Sequence, residues 1–246
     1  MTIVLHRFPL SHFSEKVRLM LDFKGLDYRV VNHSPGPDML AIMRLSGQRK
    51  LPVIEHEGSV IHDSTAIALH LEHAFPHARP MLPADFVQRR AVLDLEERLD
   101  AVLGPRVAGI ASDEALRDGA VWTDLGSAAL GAHGLTCAVV RAVGWVARPA
   151  TFFPGVRRQL DEARTAVRVL LVELCERIAA DGYLCGKTPT LADLTAAGLT
   201  LTLKIPHTKY NALPNRVGEG VREFINDPVL GRFFDWRDRL YAGHLK

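Results

Sequence analysis

Cysteine is scarce in this chain, and its scarcity excludes two kinds of protein. The 246 residues contain only Cys137, Cys175 and Cys185. Three cysteines without a C-x-x-C spacing cannot complete a disulfide framework or a zinc ribbon within one chain. We therefore expect a protein of a reducing compartment, the cytoplasm.

A charge excess of one sign and long apolar runs are also missing. Lys and Arg number 30 against 28 Asp and Glu, so the net charge of +2 gives no reason to expect nucleic acid or an anionic membrane as a partner. The longest uncharged stretch, residues 125–140, is shorter than the roughly 20 residues of a membrane-spanning helix. The amino terminus has no basic segment before a long apolar one, so it predicts a first strand and not a signal peptide.

The composition is that of a globular protein, with 48% hydrophobic residues, and the first third of the chain has a mixed pattern. Before Pro76, β-branched runs alternate with helical spacings in the order β-α-β-α-β-β-α. The predicted strands are residues 2–6, 28–32, 51–55 and 59–61, and the predicted helices are residues 13–21, 38–45 and 67–75. The last two strands are close enough to form an antiparallel hairpin. This pattern predicts one small open sheet covered by helices.

The rest of the chain has no convincing strand pattern. Residues 77–83 contain two prolines and little periodicity, which indicates a linker. Beyond it, apolar residues from Val156 to Ile178 keep helical spacing until Asp181-Gly182 ends the run. We predict a first domain at residues 1–76, a linker at 77–85 and an all-helical domain at 86–246. The glycine-rich residues 119–144 should form short, closely packed or irregular helices.

Two segments of the first domain could carry chemistry. Ser11-His12-Phe13-Ser14 lies between the first strand and the first helix, where free N–H groups and the helix dipole favour an anion. A C-x-x-C at this position would be a redox pair, but both positions are serine, so dithiol exchange there is excluded. A hydroxyl could instead donate a hydrogen bond to the thiolate of a ligand. Ser11 could also be a simple helix N-cap.

Further along, Asp63-Ser64 precedes a helix and could either cap it or bind a carboxylate at its N-terminus. Thr190 and Asp193 have the spacing of a capping box, which we interpret as structural. His70, His73 and His77 lack a carboxylate or cysteine at ligand spacing, so we predict no metal site. The glycine-rich phosphate loop, the G-x-S-x-G elbow and the H-E-x-x-H motif are missing from the sequence.

Four segments, taken in order, resemble the cytosolic glutathione transferase superfamily. Residues 11–18 are similar to the S-x-x-S-x-[KR]-V-R of serine-type members, and residues 50–54 to K-[VI]-P-[VA]-L. Residues 63–67 are similar to [ED]-S-x-A-I, and residues 184–193 to L-x-G-x-x-x-[ST]-x-A-D. The resemblance implies a thioredoxin-like α/β N-terminal domain that binds glutathione, followed by an all-α domain that contributes the electrophile pocket.

Carried over by position, the resemblance implies that Ser11 is the catalytic residue and holds the glutathione sulfur as thiolate. It also implies that Pro52 is a cis-proline. The residues expected to contact glutathione, the cosubstrate, are His12, Phe13, Lys50, Val53, Asp63 and Ser64. The other partner would be a small, largely apolar electrophile, the protein would be a homodimer, and its role would be detoxification.

Departures from the family pattern leave the subclass and the reaction open. The chain has no tyrosine before Tyr28, so the mechanism of tyrosine-type members is excluded. His12 stands where many members have proline, and Ser46-Gly47 where many have Asn-Pro. Besides a transferase, the chain could be a glutathione-dependent isomerase or lyase, zeta-like or ether-cleaving. It could also be a non-catalytic binding module with the same fold.

Overall fold

A computed structural model describes residues 2–34, 36, 38–130, 153–208 and 211–244. The first part contains the seven elements that the sequence predicts, in the predicted order. They are β1 (Ile3–Arg7), α1 (His12–Phe23), β2 (Tyr28–Asn32), α2 (Asp38–Ser46), β3 (Val53–His56), β4 (Ser59–His62) and α3 (Ser64–Ala74). The boundaries differ from the prediction by one or two residues at most strand ends.

The four strands form one mixed sheet in the order β2-β1-β3-β4. Strands β1 and β2 are parallel and connected through α1, whereas β1-β3 and β3-β4 are antiparallel. The predicted β-α-β unit and the predicted hairpin are therefore confirmed. Ile3, Leu5 and Ile54 belong to the same buried core as the apolar residues of α1 and α3.

The second part contains helices joined by loops, and its described residues form no strand. Its elements are α4 (Phe86–Arg117), α5 (Gly119–Leu130), α6 (Pro154–Asp181), α7 (Leu191–Leu199), a 3-10 turn (Pro214–Arg216), α8 (Arg222–Ile225) and α9 (Gly231–His244). The long predicted helix is confirmed as α6, which ends at the left-handed Gly182. No helix in the described ranges is long and apolar enough to cross a membrane.

The glycine-rich prediction for residues 119–144 has a mixed outcome. Residues 119–130 form α5, which has 12 residues and follows α4 after a break at Asp118. Residues 131–144 lie outside the described residues. The proposed domain limits at 76 and 86 stay a prediction; the chain between α3 and α4 contains neither helix nor strand.

The capping box at the start of α7 is confirmed. One carboxylate oxygen of Asp193 accepts from the backbone N–H of Thr190 at 2.8 Å and from its hydroxyl at 2.7 Å, and the other accepts from the Leu184 N–H at 2.9 Å. Burial raises the pKa of Asp193 to about 6. The carboxylate thus joins the turn at residues 183–186 to a helix that is buried along its whole length.

Helix α1 lies between the sheet and the helical part and is enclosed on all sides. Every residue from His12 to Phe23 except Phe13 is buried, including the charged Glu15, Lys16 and Arg18. The Arg18 guanidinium donates to both oxygens of Glu15 at 2.6 and 2.8 Å. Tyr241, on α9, donates its hydroxyl to Glu15 Oε1 at 3.1 Å. Partners from both parts of the chain therefore surround this helix.

The close approach of α1 and α7 depends on a glycine. A Cβ added at Gly198 would lie 2.6 Å from both Cα and N of Lys16, which are backbone atoms and cannot rotate away. We expect Gly198→Ala to destabilise the protein by about 1–3 kcal/mol, because the two helices must separate. Gly109→Ala is the matched control: it lies in α4 with nothing within 4 Å, so it should raise stability by up to about 1 kcal/mol. Denaturant unfolding measures both, and equal effects would contradict the packing argument.

Candidate active site

The strand register brings the predicted glutathione-binding segments to one edge of the sheet. His6, near the end of β1, pairs with Val53 at the beginning of β3, and Val53 pairs with His62 at the end of β4. The chain that leaves β1 continues to Ser11, and the chain that leaves β4 continues to Asp63 and the start of α3. The amino termini of α1 and α3 therefore both follow strands that end at this edge.

Ser11 is held in place by a hydrogen-bonded turn. Its N–H donates to the Phe8 carbonyl at 2.9 Å, and its Oγ accepts from the Ser14 N–H at 3.2 Å as the N-cap of α1. The buried Ser14 Oγ in turn accepts from the Phe8 N–H at 3.3 Å. Among the described residues, the Ser11 hydroxyl proton has no acceptor. The N-cap interpretation of Ser11 is thus correct, and it leaves one donor available to a ligand.

The start of α3 combines a strained backbone with a capping carboxylate. Asp63 has φ 71°, in the left-handed region that favours glycine, and strain of this kind is often found at binding sites. Its Oδ1 accepts from the N–H groups of Thr65 and Ala66, both at 3.0 Å. Ser64, the first helical residue, is only 4% exposed. Sequence reasoning assigned both Asp63 and Ser64 to this helix start.

Lys50 and Val53 flank the predicted cis-proline. The Leu51–Pro52 peptide bond is cis. Val53 is fully buried, whereas Lys50 is exposed and its carbonyl accepts from Gln48 Nε2 at 3.1 Å. Lys50 thus lies three residues before the start of β3, and it is exposed.

His12 and Phe13 contact α4. His12 Nε2 donates to the Gly104 carbonyl at 2.9 Å, and burial lowers the pKa of His12, which favours a neutral imidazole. A Cβ at Gly104 would lie 2.6 Å from the Phe13 ring, so the ring fills the space that the glycine leaves. Pro105 has no N–H to donate to the Ala101 carbonyl four residues earlier. The Arg106 side chain donates to that carbonyl instead, at 3.0 Å. A role for His12 and Phe13 in binding glutathione stays a prediction.

A cleft of about 1330 Å³ lies between the turn after β1 and the helical part. Leu10 and His12, the two neighbours of Ser11, line it, and so do the apolar Trp122, Leu201 and Ile205. Its walls come from α4, α5, α6 and residues 201–208 and 211–225. Sequence reasoning expected an acceptor pocket here but could not name its lining, because these stretches are far apart in the chain.

Metal binding has no support in this region. Among the described residues, no group of three or more His, Cys, Asp or Glu side chains could hold a metal ion. His56 and His70 do approach each other, with Nδ1 and Nε2 3.1 Å apart, but no third ligand joins them within those residues.

Comparison with known families and proteins identifies both parts of the chain. The model of the glutathione S-transferase N-terminal domain matches residues 5–80, and the model of the C-terminal domain matches residues 137–215. Glutathione S-transferase 1 of Dianthus caryophyllus is 38% identical over 91 residues, which are 36% of this chain and 40% of that protein. The chain therefore aligns with less than half of the length of this curated relative.

Solved structures extend the likeness in fold to nearly the whole chain. The β-etherase LigF from Sphingobium sp. strain SYK-6 has a TM-score of 0.70 at 22% identity, covering 98% of this chain and 96% of its own. A rice glutathione transferase solved in complex with glutathione has a TM-score of 0.56 at 19% identity, covering 100% and 92%. These identities show a shared fold, and the family models, which together match more than half of the chain, show the relationship. The chain belongs to the glutathione transferase superfamily.

Proposed function

We propose that the protein is a glutathione transferase that activates the glutathione thiolate for attack on a small, largely apolar electrophile. The observation that carries the proposal is the Ser11 hydroxyl. Its oxygen is fixed by the Ser14 N–H while its proton is available, at the amino terminus of α1 and beside the cleft. Such a donor stabilises a thiolate over a thiol and so lowers the pKa of the bound cosubstrate.

Glutathione would lie along the sheet edge with its two ends separated. The γ-glutamyl carboxylate would bind at the start of α3, where Ser64 offers its hydroxyl and Asp63 a negative charge for the α-ammonium. The cysteinyl backbone would pair with Val53 as an added strand. Lys50 would reach the glycine carboxylate, and His12 and Phe13 would border the sulfur beside Ser11.

The reaction is then a direct displacement or addition. The cysteine thiol loses its proton to solvent, and the Ser11 hydroxyl donates to the resulting sulfur anion. The thiolate electron pair forms a C–S bond to the electrophile held in the cleft, and a leaving group departs with its bonding pair or an acceptor carbon takes the charge. The protein forms no covalent intermediate and contributes by positioning both reactants.

Two other functions share this site. LigF is named as a β-etherase, so cleavage of an ether by the same thiolate is the alternative that a product assay decides. A glutathione-dependent isomerase would also use the thiolate. A non-catalytic binding module would not form the thiolate, so glutathione bound to it would lack thiolate absorbance near neutral pH. As a transferase the protein would act as a cytoplasmic homodimer in detoxification.

Thermal unfolding with and without glutathione tests the binding site. A ligand that binds only the folded state adds about 2.7 kcal/mol at a concentration 100 times its Kd, or roughly 5–10 °C in a chain of this size. We expect Ser64→Ala to reduce this shift substantially, since it removes a hydroxyl at the start of α3. Ser59→Ala, an exposed serine on β4, is the matched control and should keep the full shift. Absence of any shift at millimolar glutathione would contradict the proposal.

A further inference from the structure

His12 keeps one ring nitrogen free at the start of α1. Its Nε2 lies 2.9 Å from the Gly104 carbonyl, which can only accept, so Nε2 carries the hydrogen and Nδ1 keeps a lone pair. His12 is only 8% exposed, yet within the described residues Nδ1 makes no hydrogen bond and is not closed off from solvent. The ring therefore offers one acceptor to a ligand or to water.

His12 stands beside the place where the reacting sulfur would lie. It is the first residue of α1 and directly follows Ser11, at a Cα–Cα distance of about 3.8 Å. It also lines the cleft that would hold the electrophile. A thiol that reaches the Ser11 hydroxyl thus also reaches the neighbouring residue, on the side of the cleft. Many family members have proline here, so this base is a feature of this chain.

No other base in the described lining of the cleft is free for a proton. That lining contains six carboxylates, and each lies within 4 Å of an arginine. Glu15, for example, is held by Arg18 at 2.6 Å, and such an ion pair lowers the affinity of a carboxylate for a proton. The same lining contains no lysine and no second histidine. Of these residues, His12 alone offers an unpaired basic nitrogen.

The surroundings of His12 keep the imidazole neutral before a ligand binds. Burial lowers the pKa of His12, and the hydrogen bond to Gly104 offsets only part of that effect. The positive end of the α1 dipole also disfavours a cation there. On α4, the charged residues nearest to Gly104 in sequence have partners: Asp100 binds Lys16, and Arg106 donates to backbone carbonyls. The ring is thus an uncharged base near neutral pH.

We infer that His12 takes the proton of the glutathione thiol and holds it until the sulfur has reacted. The S–H bond breaks and leaves its electron pair on sulfur, which accepts from Ser11, while the proton joins Nδ1. Thiolate and imidazolium then stabilise each other as an ion pair. When the sulfur pair forms the C–S bond, the imidazolium loses its counter-ion and gives the proton to the leaving group or to water. The inference rests on the proposed function, because it names the first acceptor of the proton that this reaction sets free.

A proton count tests the inference without an electrophile. Glutathione is mixed with the protein near pH 7.5 in weak buffer that contains a pH indicator, and the thiolate formed is measured by its ultraviolet absorbance. S-methylglutathione, which has no thiol, gives the protons that the rest of the ligand releases. After this subtraction, the wild-type protein should release about half a proton or less per thiolate, because His12 retains the rest. His12→Gln should release about one, since its amide can donate to the Gly104 carbonyl but cannot take a proton.

His73→Gln is the matched control. His73 is exposed on α3 and does not line the cleft, so this variant should keep the wild-type ratio. Carbon-13 NMR of the histidine rings in the wild-type protein gives a second readout if His12→Gln does not fold. One imidazole should become protonated with glutathione and stay neutral with S-methylglutathione. If every histidine keeps its protonation state when glutathione binds as thiolate, the inference is wrong.

The outcomes separate this inference from the proposed function. One proton per thiolate in the wild-type protein would overturn the role of His12 and leave the transferase proposal intact, whereas no thiolate at all would contradict both. Turnover supplies a further check. His12→Gln should lower kcat/KM for a simple electrophile by about 10-fold at pH 7, with the Kd for glutathione within a few-fold, because the thiolate loses its counter-ion. A change in kcat/KM of less than twofold would also overturn the inference.

Discussion

Replacing Ser11 with alanine should lower turnover by about 100-fold while glutathione binding changes little. Removing one preorganised hydrogen-bond donor that stabilises an anion in the active site lowers the rate by about 10²–10³-fold. The binding contacts at Val53, Asp63 and Ser64 are untouched, so the Kd for glutathione should stay within a few-fold. Steady-state kinetics with a simple electrophile, together with titration of glutathione, measures both quantities.

The pH profile distinguishes this role from a structural one. A cysteine thiol has a pKa of about 8.5 when unperturbed, and a hydrogen bond to the thiolate lowers it. Without the Ser11 donor the bound thiol titrates at higher pH, so the loss of activity should be largest near pH 7 and shrink as the pH rises towards 9. A loss that is the same at every pH would indicate damage to the fold.

Ser11 is also the N-cap of α1, so the variant needs a control for helix fraying. Asp85 caps α4 in the same way, accepting from the Gln88 N–H at 2.9 Å. Asp85→Ala should cost about 1 kcal/mol of stability, as Ser11→Ala should, but should leave turnover unchanged. Turnover of Ser11→Ala within twofold of the wild type would remove Ser11 from the mechanism.

Replacing Lys16 with methionine should destabilise the protein by about 3–5 kcal/mol, because it leaves the buried Glu96 and the partly buried Asp100 without their cation. Lys16 is fully buried, and its Nζ donates to Glu96 at 2.5 Å and to both oxygens of Asp100 at 2.8 Å. Thr65 donates to the same Glu96 oxygen at 2.7 Å. This cluster connects α1 and α3 of the first part to α4 of the second, so its loss loosens the contact between them.

An exposed ion pair on the same helix supplies the control. Arg90 and Asp94 lie 2.8 Å apart on α4 with side chains 70% and 54% exposed, and Arg90→Ala should cost about 0–1 kcal/mol. The double variant Lys16→Met, Glu96→Gln also removes one of the carboxylates left without a cation, so it should recover part of the lost free energy of unfolding. Denaturant unfolding measures all three. Equal costs for Lys16→Met and Arg90→Ala would contradict the burial argument.

The sequence contains enough local information to predict the first part of the fold and the site's backbone. Each strand is a short run rich in β-branched residues, which distinguishes it from a helix. The observed bounds of β2, Tyr28–Asn32, are the predicted ones. Ser11, Asp63 and Thr190 were all recognised as residues at helix starts, because capping depends on neighbours within three or four positions. Long-range geometry was not needed for these predictions.

The charged face of α1 illustrates what the sequence could not reveal. Glu15, Lys16 and Arg18 have the composition of a solvated helix surface, yet all three are buried. The pair Glu15 and Arg18 is three residues apart and could have been recognised, but the partners of Lys16 lie 80 and 84 positions away. The same separation hides the cleft, because α4, α6 and residues 201–208 and 211–225 form it only after they have folded together.

The contact between Glu15 and Tyr241 has a consequence for synthesis of the chain on the ribosome. The two residues are 226 positions apart. At roughly 5–20 residues per second, about 10–45 s pass between their translation. Of the helices that contact α1, α4 and α7 are translated within that interval and α9 only at its end, so Glu15 lacks its Tyr241 partner throughout. We therefore expect the nascent amino-terminal third to complete its folding only when the last helix has left the exit tunnel.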